Sequence, residues 1–488
     1  MRTLDMLPET PRKKTKIVAT ISDKNCSTEF ITELYKNGLN VVRINTAHQT
    51  PEVSKEVIDN VRKVSEKIAI MIDTKGPEVR TTAADEEIPV ETGDTVYFAG
   101  RPNTPFSGDT VNVSYTHFVE EIPVGSHILI DDGELTFVVN SREGDRLSCV
   151  ALNQGVVRGK KSVNVPNVHL HLPTLTEKDK QFLRFAVEEE VDFIAHSFVR
   201  NKQDLLNVKS YLAGQKNCCR IISKIENQEG VDNIDEILDH SYGIMIARGD
   251  LAVEIPRERI PSIQKKLIKK CITKRKPVII ATQMLHSMLS NPSPTRAEVS
   301  DVANAIYDEA DAVMLSGETA NGKYPVESIR VMCDIAVEVE KDLQPFSDIH
   351  PITLNTEVSA YLCKSAIESA NRLNAKAIIA DTASGRTVRN LAGYRGNTPI
   401  YALCYNDHIV RSLALSFGVT PYFFDGSTQP VTDRALKNAM KRLAYHFNFA
   451  EDDYLVILSG NYGAQVGASY IGITTTAELE NDVFIRRD

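Results

Sequence analysis

The sequence predicts an α/β protein: a (β/α)8 barrel of the TIM type, a β-barrel lid domain inserted after its third strand, and a C-terminal open α/β domain. Three observations carry this. Eight short apolar runs are separated, for the most part, by helix-length spacers, which suits a closed parallel barrel better than an open sheet. The helical period disappears between residues 78 and 171, where alternating segments are separated by turn dipeptides. A smaller α/β rhythm begins again after a polar, proline-containing passage near residue 345. The expected domains are therefore residues 1–77 with 172–345 for the barrel, 78–171 for the lid, and 346–488 for the C-terminal domain.

In order, KIVATI (16–21) is the first strand, residues 27–37 are a helix closed by Gly38, and NVVRINT (40–46) is the second strand. A helix over 50–67 leads to the third strand, IAIMIDTK (68–75). In the insertion, 95–99, 127–130, 135–139 and 147–151 read as strands. The barrel resumes with a capped helix after Pro173. Its remaining strands are 191–199, 219–226, 242–248, 277–282 and 312–315. The C-terminal domain has strands at 375–380, 399–404, 419–424 and 454–458.

Composition narrows the function. A chain of 488 residues, 42% hydrophobic and 25% charged, is ordinary for a globular protein of several domains. A formal net charge of -9 argues against a general nucleic-acid binder. No apolar stretch is long enough to span a bilayer, and the N-terminus lacks the apolar core of a signal peptide. The eight cysteines show no paired metal-ligand spacing and read as free thiols, which points to a cytoplasmic protein.

The chemistry gathers where barrel strands end. Arg43 and Asn45 close the second strand, Asp73-Thr74-Lys75 the third, and Lys224 and Glu226 the fifth. Gly249-Asp250 follow the sixth, Thr282 ends the seventh, and Ser316-Gly317-Glu318 follow the eighth. Any one of these could be a structural hydrogen-bonding residue. Several on the catalytic face of one barrel are harder to explain by packing. Glu226 and Asp250 make a reasonable oxygen cage for Mg²⁺. Arg43 offers a fork for phosphate or carboxylate, and Lys224 a point charge beside the metal. With no GxxxxGK[ST] and no protein-kinase motif, this set suits phosphoryl transfer through metal and scattered side chains.

Over essentially its whole length the chain resembles the pyruvate kinases. The matching stretches are VVRINTAH, MIDTKGPEVRT, ISKIENQEG, MIARGDLAVEIP, PVIIATQML and PTRAEVSDVANAIYDEADAVMLSGETANGKYP. The resemblance implies transfer of the phosphoryl group of phosphoenolpyruvate to ADP, giving pyruvate and ATP, by a cytoplasmic homotetramer. It implies that Lys224 neutralises the migrating group, Glu226 and Asp250 hold Mg²⁺ (or Mn²⁺), and Arg43 binds the substrate phosphate. Gly249, Asp250 and Thr282 would seat the carboxylate, and Thr282 with Ser316 would relay a proton to the enolate. Asn45, His48 and Arg80 would approach the nucleotide, while Asn45, Asp73 and the Thr74 carbonyl would bind K⁺. Lys224 and Glu226 would then share a face through substrate and Mg²⁺ between them, not as a direct ion pair.

The sequence departs from the family pattern in places. Ala47 replaces a serine ligand of K⁺, leaving water or Thr46 to fill the gap, while Glu78 is the acidic residue that accompanies a K⁺ requirement. Asn201 stands where many relatives have a lysine near the nucleotide, with Lys202 beside it. Thr382, Ser384, Gly385, Arg386 and Thr387 form a strand-to-helix loop that resembles the family's phosphate-binding effector loop, for a sugar phosphate or a nucleotide; a plain N-cap turn is the alternative. Two other functional readings remain beside the kinase: a metal-dependent carbon–carbon lyase on a pyruvate-binding barrel, and a non-catalytic regulatory relative.

Overall fold

The computed structural model describes residues 13–214, 219–343, 357–424, 433–460 and 468–480. The N-terminal segment before residue 13, Cys218 and most of the proline-containing connection lie outside them.

Eight parallel strands close the barrel: β1 (Lys16–Thr20), β2 (Val41–Asn45), β3 (Ala69–Asp73), β12 (Phe193–His196), β13 (Arg220–Ile225), β14 (Gly243–Ala247), β15 (Val278–Ala281) and β16 (Ala312–Leu315). Numbers four to eleven belong to the insertion described next. Successive side chains on a strand point to opposite faces, and here both faces are buried. Val18, Val41, Met71, Phe193, Ile222, Met245, Ile279 and Met314 fill the interior. Ile17, Ile44, Ile70, Ile194, Ile244 and Ile280 pack outward against the helices. Near-continuous apolar runs are what a doubly covered parallel strand requires.

The insertion leaves the barrel beyond β3. It contains β4 (Ile88–Val90), β5 (Thr95–Ala99), β6 (Thr110–Asn112), β7 (His127–Ile130), β8 (Leu135–Glu143), β9 (Arg146–Ala151), β10 (Gly155–Val157) and β11 (Val163–Asn164). They form a six-stranded sheet and a two-stranded pair, β10 with β4. Its own core centres on Phe98, whose ring lies 5.2 Å from that of Phe137 and 6.5 Å from that of Phe118.

The C-terminal sheet has β17 (Ala377–Thr382), β18 (Ile400–Cys404), β19 (Val419–Phe423), β20 (Tyr454–Gly460) and β21 (Ala468–Thr475), in the order β19-β18-β17-β20-β21. The sequence reading missed β21. It runs antiparallel to β20 at the sheet's edge, with a largely solvent-facing residue pattern that shows no clean alternation.

This domain docks at the N-terminal ends of the barrel strands. Ala414 and Leu415 join the barrel's interior cluster from below. Tyr242 Oη donates to the Ser412 carbonyl at 2.7 Å, and Lys16 Nζ to the Val419 carbonyl at 2.6 Å. The opposite, C-terminal mouth is left to the insertion and the polar strand ends. Burial, with help from Lys13 and against Glu340 and Asp311, lowers the Lys16 pKa to about 7. Between pH 7 and the ordinary lysine range the unfolded chain then holds a proton that the folded chain lacks, so stability from this group rises with pH. Wild type is expected to gain about 2 kcal/mol relative to Lys16→Met between pH 7 and 9. Denaturant titrations at the two pH values check this, and a flat difference refutes it.

Candidate active site

The polar residues at the barrel mouth form one connected cluster. Register places Asn45 of β2 beside Asp73 of β3, and the Lys224 and Ile225 positions of β13 beside Met245 and Ile246 of β14. Arg43 Nε contacts Asp73 Oδ2 at 2.7 Å, and Arg43 Nη1 donates to Thr20 Oγ1 at 2.9 Å. Lys224 Nζ lies 3.1 Å from Asp73 Oδ1, 2.9 Å from Glu226 Oε1 and 2.8 Å from Ser197 Oγ. The three protons of the ammonium are thereby matched by three acceptors.

The Lys224–Glu226 contact corrects the expectation of two residues separated by a ligand. They are a direct ion pair, because adjacent same-face positions on a strand bring both buried heads to one point. Glu226 is also fixed from behind, accepting the Phe198 N–H at 2.6 Å. Phe198 holds φ +54°, a left-handed conformation uncommon for a bulky residue, in which its N–H meets the carboxylate.

The electrostatics follow from burial and neighbours. Burial alone would raise the Asp73 carboxyl, but Arg43 and then Lys224 hold it below the usual carboxylate range. Burial alone would lower the Lys224 ammonium, yet Asp73, Glu226 and Asp250 together hold it above the ordinary lysine value. Glu226 moves upward: burial dominates, Lys224 opposes it, and the Asp250 charge adds to it. A carboxylate whose ionisation a second carboxylate opposes is a group that a divalent cation relieves. Among the described residues no group of three or more His, Cys, Asp and Glu side chains is arranged to hold a metal. This two-carboxylate set fits Mg²⁺, which takes one or two carboxylates plus substrate oxygens and water.

The seventh strand contributes a strained corner. Thr282 and Gln283 have φ of +69° and +55°, costly for a β-branched residue and typical of over-determined functional turns. Thr282 Oγ1 donates to the Ala281 carbonyl at 2.6 Å and accepts the Gly249 N–H at 2.7 Å, which joins Thr282 to the first turn of the helix Arg248–Glu254, where Gly249 and Asp250 lie. Arg248 braces the corner. It donates to the Thr282 carbonyl at 2.9 Å and forks onto Asp301 with two contacts of 2.7 Å. Ser316 follows β16, its N–H donating to Glu318 Oε2 at 2.9 Å; the buried Glu318 also accepts the Leu285 N–H at 3.1 Å.

Other predicted positions are more scattered. Arg80 pairs with Glu78 at 2.7 Å and donates to the Lys160 carbonyl at 2.8 Å, both within the insertion. His48 is exposed. Asn45 Oδ1 accepts the Ala47 N–H at 3.1 Å, and the Thr74 carbonyl accepts Ser197 Oγ at 2.6 Å. Thr46 Oγ1 donates to the Asp73 carbonyl at 2.8 Å. Asn201 caps the helix 202–211, its side chain accepting the N–H groups of Gln203 and Asp204. Lys202 Nζ lies 3.9 Å from Glu236. In the C-terminal loop, Gly385 takes φ +77° and its N–H donates to Thr382 Oγ1 at 2.9 Å, while Ser384 and Arg386 are exposed.

Ser197 was not singled out from the sequence. Its hydroxyl donates to the Thr74 carbonyl and accepts from Lys224, linking the β3 end to the β13 lysine. Gly76 makes room for it: φ is +71°, and a Cβ there would meet Ser197 Cβ at 2.8 Å. Only the S-F dipeptide after an apolar strand marks it in sequence, too short a signal to act on. Ser197→Ala is expected to lower kcat about tenfold, the scale of one hydrogen bond to a charged group. Ser197→Thr, which keeps the hydroxyl, should restore most of it. Steady-state kinetics of both variants test this, and unchanged turnover in the alanine variant removes Ser197 from the positioning network.

A closed parallel barrel with buried cations and carboxylates converging at its C-terminal mouth defines an α/β-barrel enzyme built for anionic substrates. The comparisons narrow the class. The family model described as pyruvate kinase, barrel domain, matches residues 12–329, and that described as pyruvate kinase, alpha/beta domain, matches residues 361–471. The chain is 46% identical over 471 residues to the pyruvate kinase of Borreliella burgdorferi, covering 96% of this chain and 98% of that one. It is 42% identical over 459 residues to that of Staphylococcus epidermidis, covering 92% of this chain and 78% of the relative. The crystal structure of a pyruvate kinase from Cryptosporidium parvum superposes with a TM-score of 0.90 at 33% identity, over 95% of this chain and 96% of that one. This chain belongs to the pyruvate kinase family and is a phosphotransferase.

Proposed function

We propose that the enzyme transfers the phosphoryl group of phosphoenolpyruvate to ADP, giving pyruvate and ATP as the last step of glycolysis. The observation that carries this reading is the buried Arg43–Asp73–Lys224–Glu226 cluster at the barrel mouth. In phosphoryl transfer the protein mainly positions the groups and neutralises charge.

Glu226 and Asp250 would hold Mg²⁺ (or Mn²⁺), which supplies charge neutralisation at the substrate's phosphate and carboxylate oxygens. Arg43, oriented by Asp73, binds the phosphate. Lys224, kept protonated by its carboxylates, faces the group in flight. Gly249 and Asp250, in the first turn of the helix Arg248–Glu254 and held by Thr282, seat the carboxylate. Thr282 and Ser316, at the ends of neighbouring strands β15 and β16, supply the hydroxyls for proton delivery to the enolate carbon. Asn45, His48 and Arg80 lie toward the nucleotide. Residues 78–171 act as a lid that excludes water from the transferable phosphoryl group.

The oxygens of Asn45, Asp73 and Thr74 suit K⁺, and with Thr46 already bonded to the Asp73 carbonyl, water takes the place of the missing serine hydroxyl. The enzyme acts in the cytoplasm as a homotetramer. The loop of Thr382, Ser384, Gly385, Arg386 and Thr387 takes a sugar-phosphate or nucleotide effector.

One assay decides the main reading: ATP formation from phosphoenolpyruvate and ADP with Mg²⁺, with and without K⁺. Activity requiring both ions is expected. No ATP formation overturns the reaction, and full activity with K⁺ and NH₄⁺ both absent overturns the K⁺ site alone.

A further inference from the structure

We propose that a small monovalent anion of halide size binds between the base of the barrel and the C-terminal domain, in a cavity lined by Arg275, Lys276, Arg389, Arg395 and Ser416. This cavity lies at the end of the barrel remote from the catalytic cluster.

Three hydrogen-bonding atoms of its lining residues are buried without partners: Arg275 Nη2, Arg395 Nε and Ser416 Oγ. Their residues are 8%, 5% and 2% exposed. Buried polar groups are normally satisfied, so three orphans around one cavity mark a missing acceptor. The charges agree. Among the described residues Asp311 is the only carboxylate on the lining, and Arg395 occupies both its oxygens, at 2.9 and 2.8 Å.

The other three cations find only neutral acceptors in their hydrogen bonds. Arg275 Nη1 donates to the carbonyls of Gly393 and Ile272 at 2.7 and 3.5 Å, with the Tyr394 ring 4.2 Å away. Lys276 Nζ donates to the Ser241 carbonyl at 2.7 Å. Arg389 Nη1 donates to the Ser384 carbonyl at 3.2 Å and to Tyr242 Oη at 3.5 Å. Two further carboxylates act on the group from outside the lining, Asp239 on Lys276 and Glu309 beside Arg395. Burial lowers the pKa of both Arg275 and Lys276, the mark of cations held without full compensation.

Size and donor chemistry select the ligand. The cavity has room for about one water-sized occupant and too little for phosphate or a carboxylate. Water would bring two protons of its own to a lining rich in donors. A halide accepts from all three orphans and offsets the charge. Arg275 and Lys276 belong to the barrel, while Arg389, Arg395 and Ser416 belong to the C-terminal domain, so the anion would bridge the two.

The test uses the full chain. In crystals soaked in bromide, an anomalous peak is expected within hydrogen-bonding reach of Arg275, Arg395 and Ser416; density with no anomalous signal there overturns the proposal. In solution, potassium gluconate, too large to enter, is exchanged for potassium bromide at constant ionic strength. The thermal midpoint of wild type is read against that of Arg275→Met and Ser416→Ala, which cancels general salt effects. A bromide-specific gain of about 2 °C in wild type over both variants is expected. An equal response in all three proteins overturns it. Should Arg275→Met fail to fold, Ser416→Ala, which alters no charge, and the anomalous peak decide.

Discussion

Lys224→Met is expected to lower kcat by about 10²- to 10³-fold, some 3–4 kcal/mol of transition-state stabilisation, as for removal of one preorganised charge-stabilising group. The structure adds a second consequence. Lys224 is the cationic partner of both Asp73 and Glu226. Without it Asp73 keeps Arg43, but Glu226 keeps only the Phe198 N–H against burial and the Asp250 charge. Its carboxyl therefore rises further and binds a proton more readily. The variant should need more Mg²⁺ at low pH than at high pH, while the ion still binds when saturating. Kinetics across a pH series at two Mg²⁺ concentrations check both parts. Turnover near wild type would remove Lys224 from the role assigned to it.

Glu226→Gln is the other large effect. Replacing one of two carboxylates that would hold Mg²⁺ should cost several kcal/mol of catalysis, on the order of 10²-fold or more. Mn²⁺ binding, followed directly by paramagnetic resonance, should weaken in parallel. The fold should tolerate the change, because the amide oxygen can still accept the Phe198 N–H and Lys224 retains Asp73 and Ser197. Unaltered Mn²⁺ affinity in a folded variant would place the metal elsewhere.

The residues legible in the sequence were those whose chemistry stands out against an apolar strand. Arg43, Asp73, Lys224 and Glu226 each break a buried run at its C-terminal end, and the barrel's closure brings those ends together. Partners reached across the chain were not legible. Ser197 contacts Thr74 and Lys224, separated from it by 123 and 27 positions, and no local pattern encodes either contact. Asn201 illustrates the converse. The resemblance marked it only as standing where relatives have a lysine, and its capping of the helix it opens was seen in the structure. β21 escaped notice for a third reason: an exposed edge strand carries little hydrophobic signal.

The sequence by itself determined the barrel, the insertion point and the face on which the chemistry gathers, because period and punctuation are local properties. It did not decide how the charges pair. Lys224 and Glu226 share a face by strand geometry, but their direct contact depends on what else meets them there. Asp73 from β3, Ser197 after β12 and the inward-turned Phe198 N–H arrive from distant parts of the chain. Only tertiary structure fixes that meeting, since in a buried site each ion's state is set by every neighbour within a few ångströms. The arginine-lined cavity at the other end of the barrel has the same origin. Its cations come from two domains, and no stretch of sequence contains them together.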